Sequence, residues 1–292
     1  MDEQDRLAQR FEEHRAHLRA VAYRMLGSVG EADDAVQEAW LRYSGSDTSA
    51  VENLGGWLTT VVARLCLNML RARGSRREEP LDVHVPDPIV TRDEGSDPER
   101  QVLLADSVGL ALLVVLDALA PAERLAFVLH DMFAMSFDEI APIVGRSPVA
   151  TRQLASRARR RVQGVPVPDC DVARQREVVD AFFAAARRGD LDALVAVLDP
   201  DVVLRSDGGV ARPDATVVVQ GASAVAARAL TYARLSPFVR PAVVNGAAGV
   251  VVAPQGRPFS VMAFTVARGK VVAIHALSDP ARLLGLDLPL DD

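Results

Sequence analysis

The side chains best equipped for chemistry fall in one stretch, residues 136–163, SFDEIAPIVGRSPVATRQLASRARRRVQ. Its second half carries Thr151, Arg152, Gln153, Ser156, Arg157 and Arg159, donors suited to base edges and phosphates. Between Ile140 and Pro168 stand six arginines and no Asp or Glu. The chemistry implied is recognition of a polyanion rather than bond-making. The elements that must position these donors are equally legible. Ser136 is an N-cap, and Glu139, three residues on, completes a capping box. Ile140, Ala141 and Val144 give a short first helix its apolar stripe. Gly145 suits a chain reversal, and Ser147 with Pro148 restart a helix as N-cap and first helical residue. The pattern predicts a helix-turn-helix.

A second arginine-rich segment precedes it. Residues 57–77, WLTTVVARLCLNMLRARGSRR, form a helix with Trp57, Leu58, Val61, Val62, Leu65, Cys66, Met69 and Leu70 as apolar residues. Arg64, Asn68, Arg71, Arg73, Arg76 and Arg77 supply its polar groups, five arginines in fourteen residues. That density favours a phosphate-contacting surface. Upstream, residues 6–27 are helical by the spacing of Phe11, Leu18, Val21, Ala22, Met25 and Leu26. EADDAVQEAWLRY (31–43) places Ala35, Val36, Ala39 and Trp40 on one face and Asp33, Asp34, Gln37 and Glu38 on a polar rim.

The 292 residues suffice for two or three domains. Net charge is −6, and residues 1–169 hold 20 basic against 26 acidic groups. The acidic excess sits in the same half as the arginine-rich helices. Such segregation fits a DNA-binding face beside an acidic face for a basic partner. No run reaches membrane-span length, and MDEQDRLAQRFEEHR is no secretory signal, so a cytoplasmic protein without membrane association is expected. Cys66 and Cys170 read as reduced structural thiols. The five histidines are scattered, without metal-ligand spacing; neither metal nor cofactor is expected.

Residues 78–100 hold four prolines and read as an extended linker. Leu81, Val83, Val85, Ile89 and Val90 are too apolar for a free tether, so Pro80–Val90 is expected to dock. Helices resume at 101–119 and at 121–133. After a short proline-bearing linker the character changes. Two helices are followed by strand-like runs at 202–205, 216–219, 240–245, 249–253, 259–267 and 271–276, with a helix at 223–235. This reads as an α+β domain on a curved antiparallel sheet.

On these residues the chain resembles a bacterial sigma factor of the extracytoplasmic-function group. EADDAVQEAWLRY resembles the group's polymerase-clamp helix, GGWLTTVVARLCLNMLRAR its promoter-melting segment, and LDALAPAERLAFVLHDMFAMSFDEIAPIVGRSPVATRQLASRARRRV its −35-reading domain. Residues 172–285, opening on EVVDAFFAAARRGDLDALVAVLDPDVVLRSDGG, resemble a SnoaL-like domain. The fold implied is multidomain: two all-α sigma domains, the second with the helix-turn-helix, plus a C-terminal α+β SnoaL-like cone. The segments are 1–77, a linker at 78–100, 101–163, a short linker at 164–171, and 172–292.

The resemblance implies core RNA polymerase and promoter DNA as partners. Asp33, Asp34, Gln37 and Trp40 would dock on polymerase. Asn53, Leu54 and Trp57 would capture a flipped −10 base, with Gly55 and Gly56 keeping the pocket open. Arg64, Asn68, Arg71 and Arg73 would hold the melted strand. Ser147, Thr151, Arg152, Arg157 and Arg159 would read the −35 element. The tail is implied to act in cis on the linker and core domains, through Asp207 of a DGGG-like motif (here ending in Val210) and through Asp279, Pro280, Arg282 and Leu283 of an NPDKL-like motif. The linker lacks the tryptophan that such proteins carry. The tail's pocket leaves room for a small-molecule ligand.

Two other readings stand beside this one. A ligand-responsive helix-turn-helix regulator would need neither the clamp-like helix nor the arginine-rich third helix. A SnoaL-like cyclase or isomerase fused to a DNA-binding module would use Asp207 or His275 as general base. His275, between Ile274 and Ala276, more often plays a structural part, so no catalysis is expected.

Overall fold

The computed structural model describes residues 3–46, 51–76, 83–92 and 109–290. The chain packs as two units. One holds residues 1–79 and 115–164, and the other holds 80–114 and 165–292. The described linker residues, 83–92, thus belong with the C-terminal part, and the two arginine-rich segments share a unit.

In the first unit α1 (Glu3–Leu26), α2 (Val29–Ser44) and α3 (Leu54–Arg76) form a three-helix core. Phe11, Leu18, Val21, Met25, Tyr43, Leu58, Val62 and Cys66 are fully buried. Ser28 caps α2 by accepting the Glu31 amide. Cys66 lies in this core, and desolvation pushes its thiol up to about 12, so it is an inert packing residue. Cys170, expected to be structural too, is exposed.

Helix α4 (Leu110–Asp117) contains the boundary between the units; residues 101–108 of the helix expected at 101–119 lie outside the described residues. Helix α5 (Pro121–Phe127) widens into a single π turn over Val128–Met132, where an unbroken α-helix was expected through 133. His130 accounts for the stop: its Nδ1 lies 2.8 Å from the Met135 carbonyl oxygen, and its ring stacks on Phe137 at 3.8 Å. The helix-turn-helix follows as α6 (Phe137–Val144) and α7 (Pro148–Val162). Both arms of the Ser136/Glu139 capping box are made, and Gly145 adopts φ 72°, the left-handed turn that a Cβ would strain.

One arginine joins these helices. Arg124, 1% exposed, donates through Nε to the Arg24 carbonyl at 3.1 Å and through Nη1 to Asp117 at 3.0 Å. It thereby satisfies an orphan carbonyl in the last turn of α1, where positive charge also complements the helix dipole.

In the second unit α8 (Val172–Arg188), α9 (Leu191–Val197) and α10 (Ala222–Thr231) cover a bent sheet. Among the described residues the sheet has seven strands in the order β1-β4-β5-β6-β7-β2-β3. These are β1 (Val90–Thr91), β2 (Leu198–Asp207), β3 (Val217–Gln220), β4 (Val239–Val244), β5 (Ala247–Val252), β6 (Ser260–Ala267) and β7 (Lys270–Leu277). Phe182, Phe183, Leu204, Val250, Phe264 and Ile274 belong to its core. The sheet is mixed, not wholly antiparallel, because β2 runs parallel to β7 with Leu204 opposite Ile274. Residue alternation looks alike in either sense of pairing, which is why the run of strands did not announce it. The linker's β1 adds to the far edge, pairing with β4. Leu81 of the expected docking segment lies outside the described residues.

Candidate functional site

Helix α7 sorts its residues into three groups. Val149, Arg152, Gln153, Ser156 and Arg160 form one exposed face, and the Arg152 guanidinium lies 5.3 Å from the Phe137 ring centroid. Ser147 caps the helix by accepting the Ala150 amide at 3.3 Å. Thr151, expected to read bases, is fully buried and donates its hydroxyl to the Ser147 carbonyl at 3.0 Å. It belongs to the packing of the turn. Arg159 turns back to Asp131 at 2.7 Å, and Arg157 lies near Glu123 at 3.9 Å while remaining exposed. Arg160 and Val149, not among the expected contacts, share this exposed face on the helical repeat that contains Arg152 and Ser156.

On α3, Arg64, Asn68 and Arg71 share one exposed face at i, i+4 and i+7. Arg73 does not join them. It donates to the Leu26 carbonyl at 3.1 Å and pairs with Glu31, tying α3 to the end of α1. Asn53 caps α3, its Oδ1 accepting the Gly56 amide at 2.9 Å. Leu54 is buried, and Trp57 is half-buried, 6.3 Å from Tyr43. The space at Gly55 and Gly56 is filled by the His14 ring and the Asn53 side chain, so in this state the glycines fit neighbours closely instead of holding a pocket open. On α2, Asp33, Asp34 and Gln37 are exposed. Asp33 is held by Arg19 at 2.6 Å, and Trp40 packs edge-on against Phe11. The neighbouring Leu41 is 58% exposed.

In the second unit the linker is clasped to the sheet. Val83, Val85 and Val90 are buried. Ile89 and Asn245 exchange two hydrogen bonds, at 3.0 and 2.9 Å. The centre of the clasp is Arg282, from the short helix α11 (Pro280–Leu284). It donates to Asp87 at 2.8 Å, to the Val85 carbonyl at 2.6 Å and to Asp207 at 2.8 Å. Asp207 also accepts the Val85 amide at 3.1 Å. Burial pushes the Asp207 carboxyl up. Hydrogen bonds from His84, Val85 and Gly209, with the Arg282 charge, outweigh this and hold it below the ordinary range.

The two tail motifs are built to meet. Gly209 sits at φ 60° against the Asp279 carboxylate, where a Cβ has no room. Asp279 caps α11, Pro280 opens it and Leu283 is buried. Val210 is 85% exposed, so a side chain at that position costs nothing. Asp87 went unnoticed in the sequence; its flanking Pro86 and Pro88, which keep the chain extended, were the available signal.

A cavity opens beneath α8 and α10, but neither acid–base candidate lines it. Ile274 and Ala276 face it, so alternation on β7 turns His275 to the other side of the sheet. Asp207 is committed to the clasp. His275 is buried, and desolvation, with a smaller contribution from Arg205, pushes it down to about 4. It is neutral when folded, whereas the unfolded chain takes up a proton near pH 6.5. Its contribution is therefore fully present above pH 6.5 and is lost as pH falls toward the folded value. About 2 kcal/mol should be gone by pH 5. Urea unfolding at pH 7.5 and pH 5 measures this, and His275→Leu should flatten the dependence; an equally steep dependence in the variant would refute it.

Among the described residues no three His, Cys, Asp or Glu side chains gather as metal ligands. No described helix is long and apolar enough to cross a membrane.

Two helical DNA-reading segments joined by a linker, and an α+β cone that clasps that linker, define a multidomain promoter-recognition protein. Sigma-70 region 2 matches residues 10–76, and Sigma-70 region 4 matches residues 109–162. The chain is 41% identical over 293 residues to the ECF RNA polymerase sigma factor SigJ of Mycobacterium tuberculosis, covering 95% of this chain and 93% of that one. It is 37% identical to the probable ECF sigma factor SigI of the same species, over 97% of each. The crystal structure of the M. tuberculosis SigJ superposes with a TM-score of 0.79 at 36% identity, covering 96% of this chain and 99% of that one. The chain belongs to the ECF RNA polymerase sigma factors, which bind core polymerase and direct promoter-specific initiation, and it carries a C-terminal SnoaL-like domain.

Proposed function

We propose that this sigma factor is restrained in cis by its own C-terminal domain, which grips the linker between the two DNA-reading segments. The carrying observation is Arg282, bonded at once to Asp87, the Val85 carbonyl and Asp207. A linker held at its middle cannot extend to let the two segments reach −10 and −35 together. Promoter-dependent transcription with core polymerase tests the reading, comparing the full chain with one ending after Val165. Higher output from the shortened chain at equal polymerase occupancy supports it, and equal or lower output would remove it.

The exposed faces support the following reading of the contacts. Asp34, Gln37 and the neighbouring Leu41 dock on polymerase, with Asp33 and Trp40 at the edge. Arg64, Asn68 and Arg71 follow the melted strand, and Asn53 and Trp57 meet the −10 element once their packing opens. Arg152, Gln153, Ser156, Arg157 and Arg160 enter the −35 groove. Arg152→Ala and Arg160→Ala are each expected to weaken holoenzyme binding to promoter DNA. Removing one phosphate-binding arginine should lower the salt slope by about 1. Arg159→Ala, which loses an internal ion pair, should change the slope less; equal slopes for all three would contradict the assignment.

The SnoaL-like domain is read as non-catalytic, since Asp207 and His275 stand outside its cavity. The protein works in the cytoplasm, where its polymerase partner is.

A further inference from the structure

Beneath α8 and α10 the second unit has a partly open cavity of about 120 Å³. Phe182, Phe183, Phe259, Met262 and Ile274 are among its walls. That is near the size at which an apolar protein cavity takes up one benzene-like ring. Polar groups interrupt the walls at two places. On the more exposed side Arg228 stands over Tyr232, its guanidinium 5.2 Å from the ring centroid and Nη2 3.3 Å from the hydroxyl. On the buried side the hydroxyls of Ser260 and Ser278 are bonded at 2.9 Å. Among the described residues no carboxylate lines the cavity. A cationic guest would find no counter-ion, whereas an acidic or hydroxyl group would meet Arg228.

The buried serines lead directly to the clasp. The Ser278 amide donates to the Asp207 carbonyl at 2.7 Å. Arg212 Nη1 bridges the Phe259 and Ser278 carbonyls at 2.9 and 3.0 Å. One short run of backbone is therefore both cavity wall and anchor of the carboxylate that holds Val85 and Arg282. A guest that moves the Ser260–Ser278 pair moves Asp207.

We propose that the cavity is a regulatory site for a small hydrophobic molecule, one aromatic ring or its equivalent with a single acidic or hydroxyl group, and that occupancy changes the grip on the linker. The coupling rests on the reading of the clasp given above. Full-length protein titrated with 4-fluorobenzoate as probe, followed by fluorine NMR, tests the site. Amide exchange at Val85 tests the coupling. Saturable binding is expected, weakened at least tenfold by Ala229→Trp and by Leu235→Trp, which fill the cavity from two different elements. Unfolding curves qualify each variant, so loss of fold in one leaves the other decisive. At saturation the Val85 exchange rate should change at least threefold.

Absence of saturable binding, or binding indifferent to both tryptophans, overturns the site. Binding with no change at Val85 overturns the coupling. Arg282→Ala without probe separates the two ideas: unchanged Val85 exchange in that variant means the clasp itself was misread, whatever the probe does.

Discussion

Arg282→Ala is expected to free the linker and raise promoter-dependent transcription several-fold. The substitution removes the shared donor of Asp87, the Val85 carbonyl and Asp207, and takes the guanidinium charge from between the two carboxylates. Asp207 is 5% exposed, so its charge cannot be taken over by bulk water. Hydrogen bonds to charged groups contribute about 1.5–3 kcal/mol each; the side chain of Arg282 is 23% exposed, so solvent screening reduces their sum. A net loss of about 2–3 kcal/mol opens the clasp about 30–150 times more often. The remaining contacts, β1 on β4 and the buried valines, keep the linker docked part of the time, so the transcriptional gain should be smaller than the gain in opening. Arg282→Lys keeps the charge but not the planar fork and should fall between. Wild-type transcription together with wild-type Val85 exchange in Arg282→Ala would sink the proposal.

The second large effect concerns stability. Arg124→Ala should cost the first unit about 3–5 kcal/mol, the range seen when one partner of a buried ion pair is deleted. The loss has three sources: a cavity where the side chain lay, an unpaired Asp117, and an α1 carbonyl without its donor. Burial already lowers the arginine's proton affinity, opposed by Asp117, so the pair is held by its partners and not by solvent. Arg124→Met fills the cavity without charge, and Arg124→Met with Asp117→Asn should regain most of the loss. Chemical denaturation measures all three. An Arg124→Ala penalty below about 1 kcal/mol, the mean effect of an ordinary substitution, would show that the buried arginine contributes little.

These residues also mark how far the sequence could be read. The helix-turn-helix was legible because its signals are local: Ser136 with Glu139, Gly145, and Ser147 with Pro148 each fix backbone within a few residues. The docking of the linker was legible from Val83, Val85 and Val90, which no free tether needs. Side-chain direction was not legible. Thr151 and Arg152 are adjacent and both polar, yet one is buried and the other exposed, because tertiary packing sets the face of α7. Arg73 and Arg159 resemble their arginine neighbours in sequence, and partners distant in the chain, Glu31 and the Leu26 carbonyl for one and Asp131 for the other, turn them inward. The parallel pairing of β2 with β7 depends on a crossover far longer than any local pattern.

The clasp closes across 195 residues, from Asp87 to Arg282. At synthesis rates of about 5–20 residues per second, the DNA-reading segments are complete well before their restraint exists. Each newly made molecule therefore has an interval of about 10–40 s in which the linker has emerged and Arg282 does not yet hold it. Wherever polymerase is abundant, restraint by this domain is a race between assembly into holoenzyme and synthesis of helix α11.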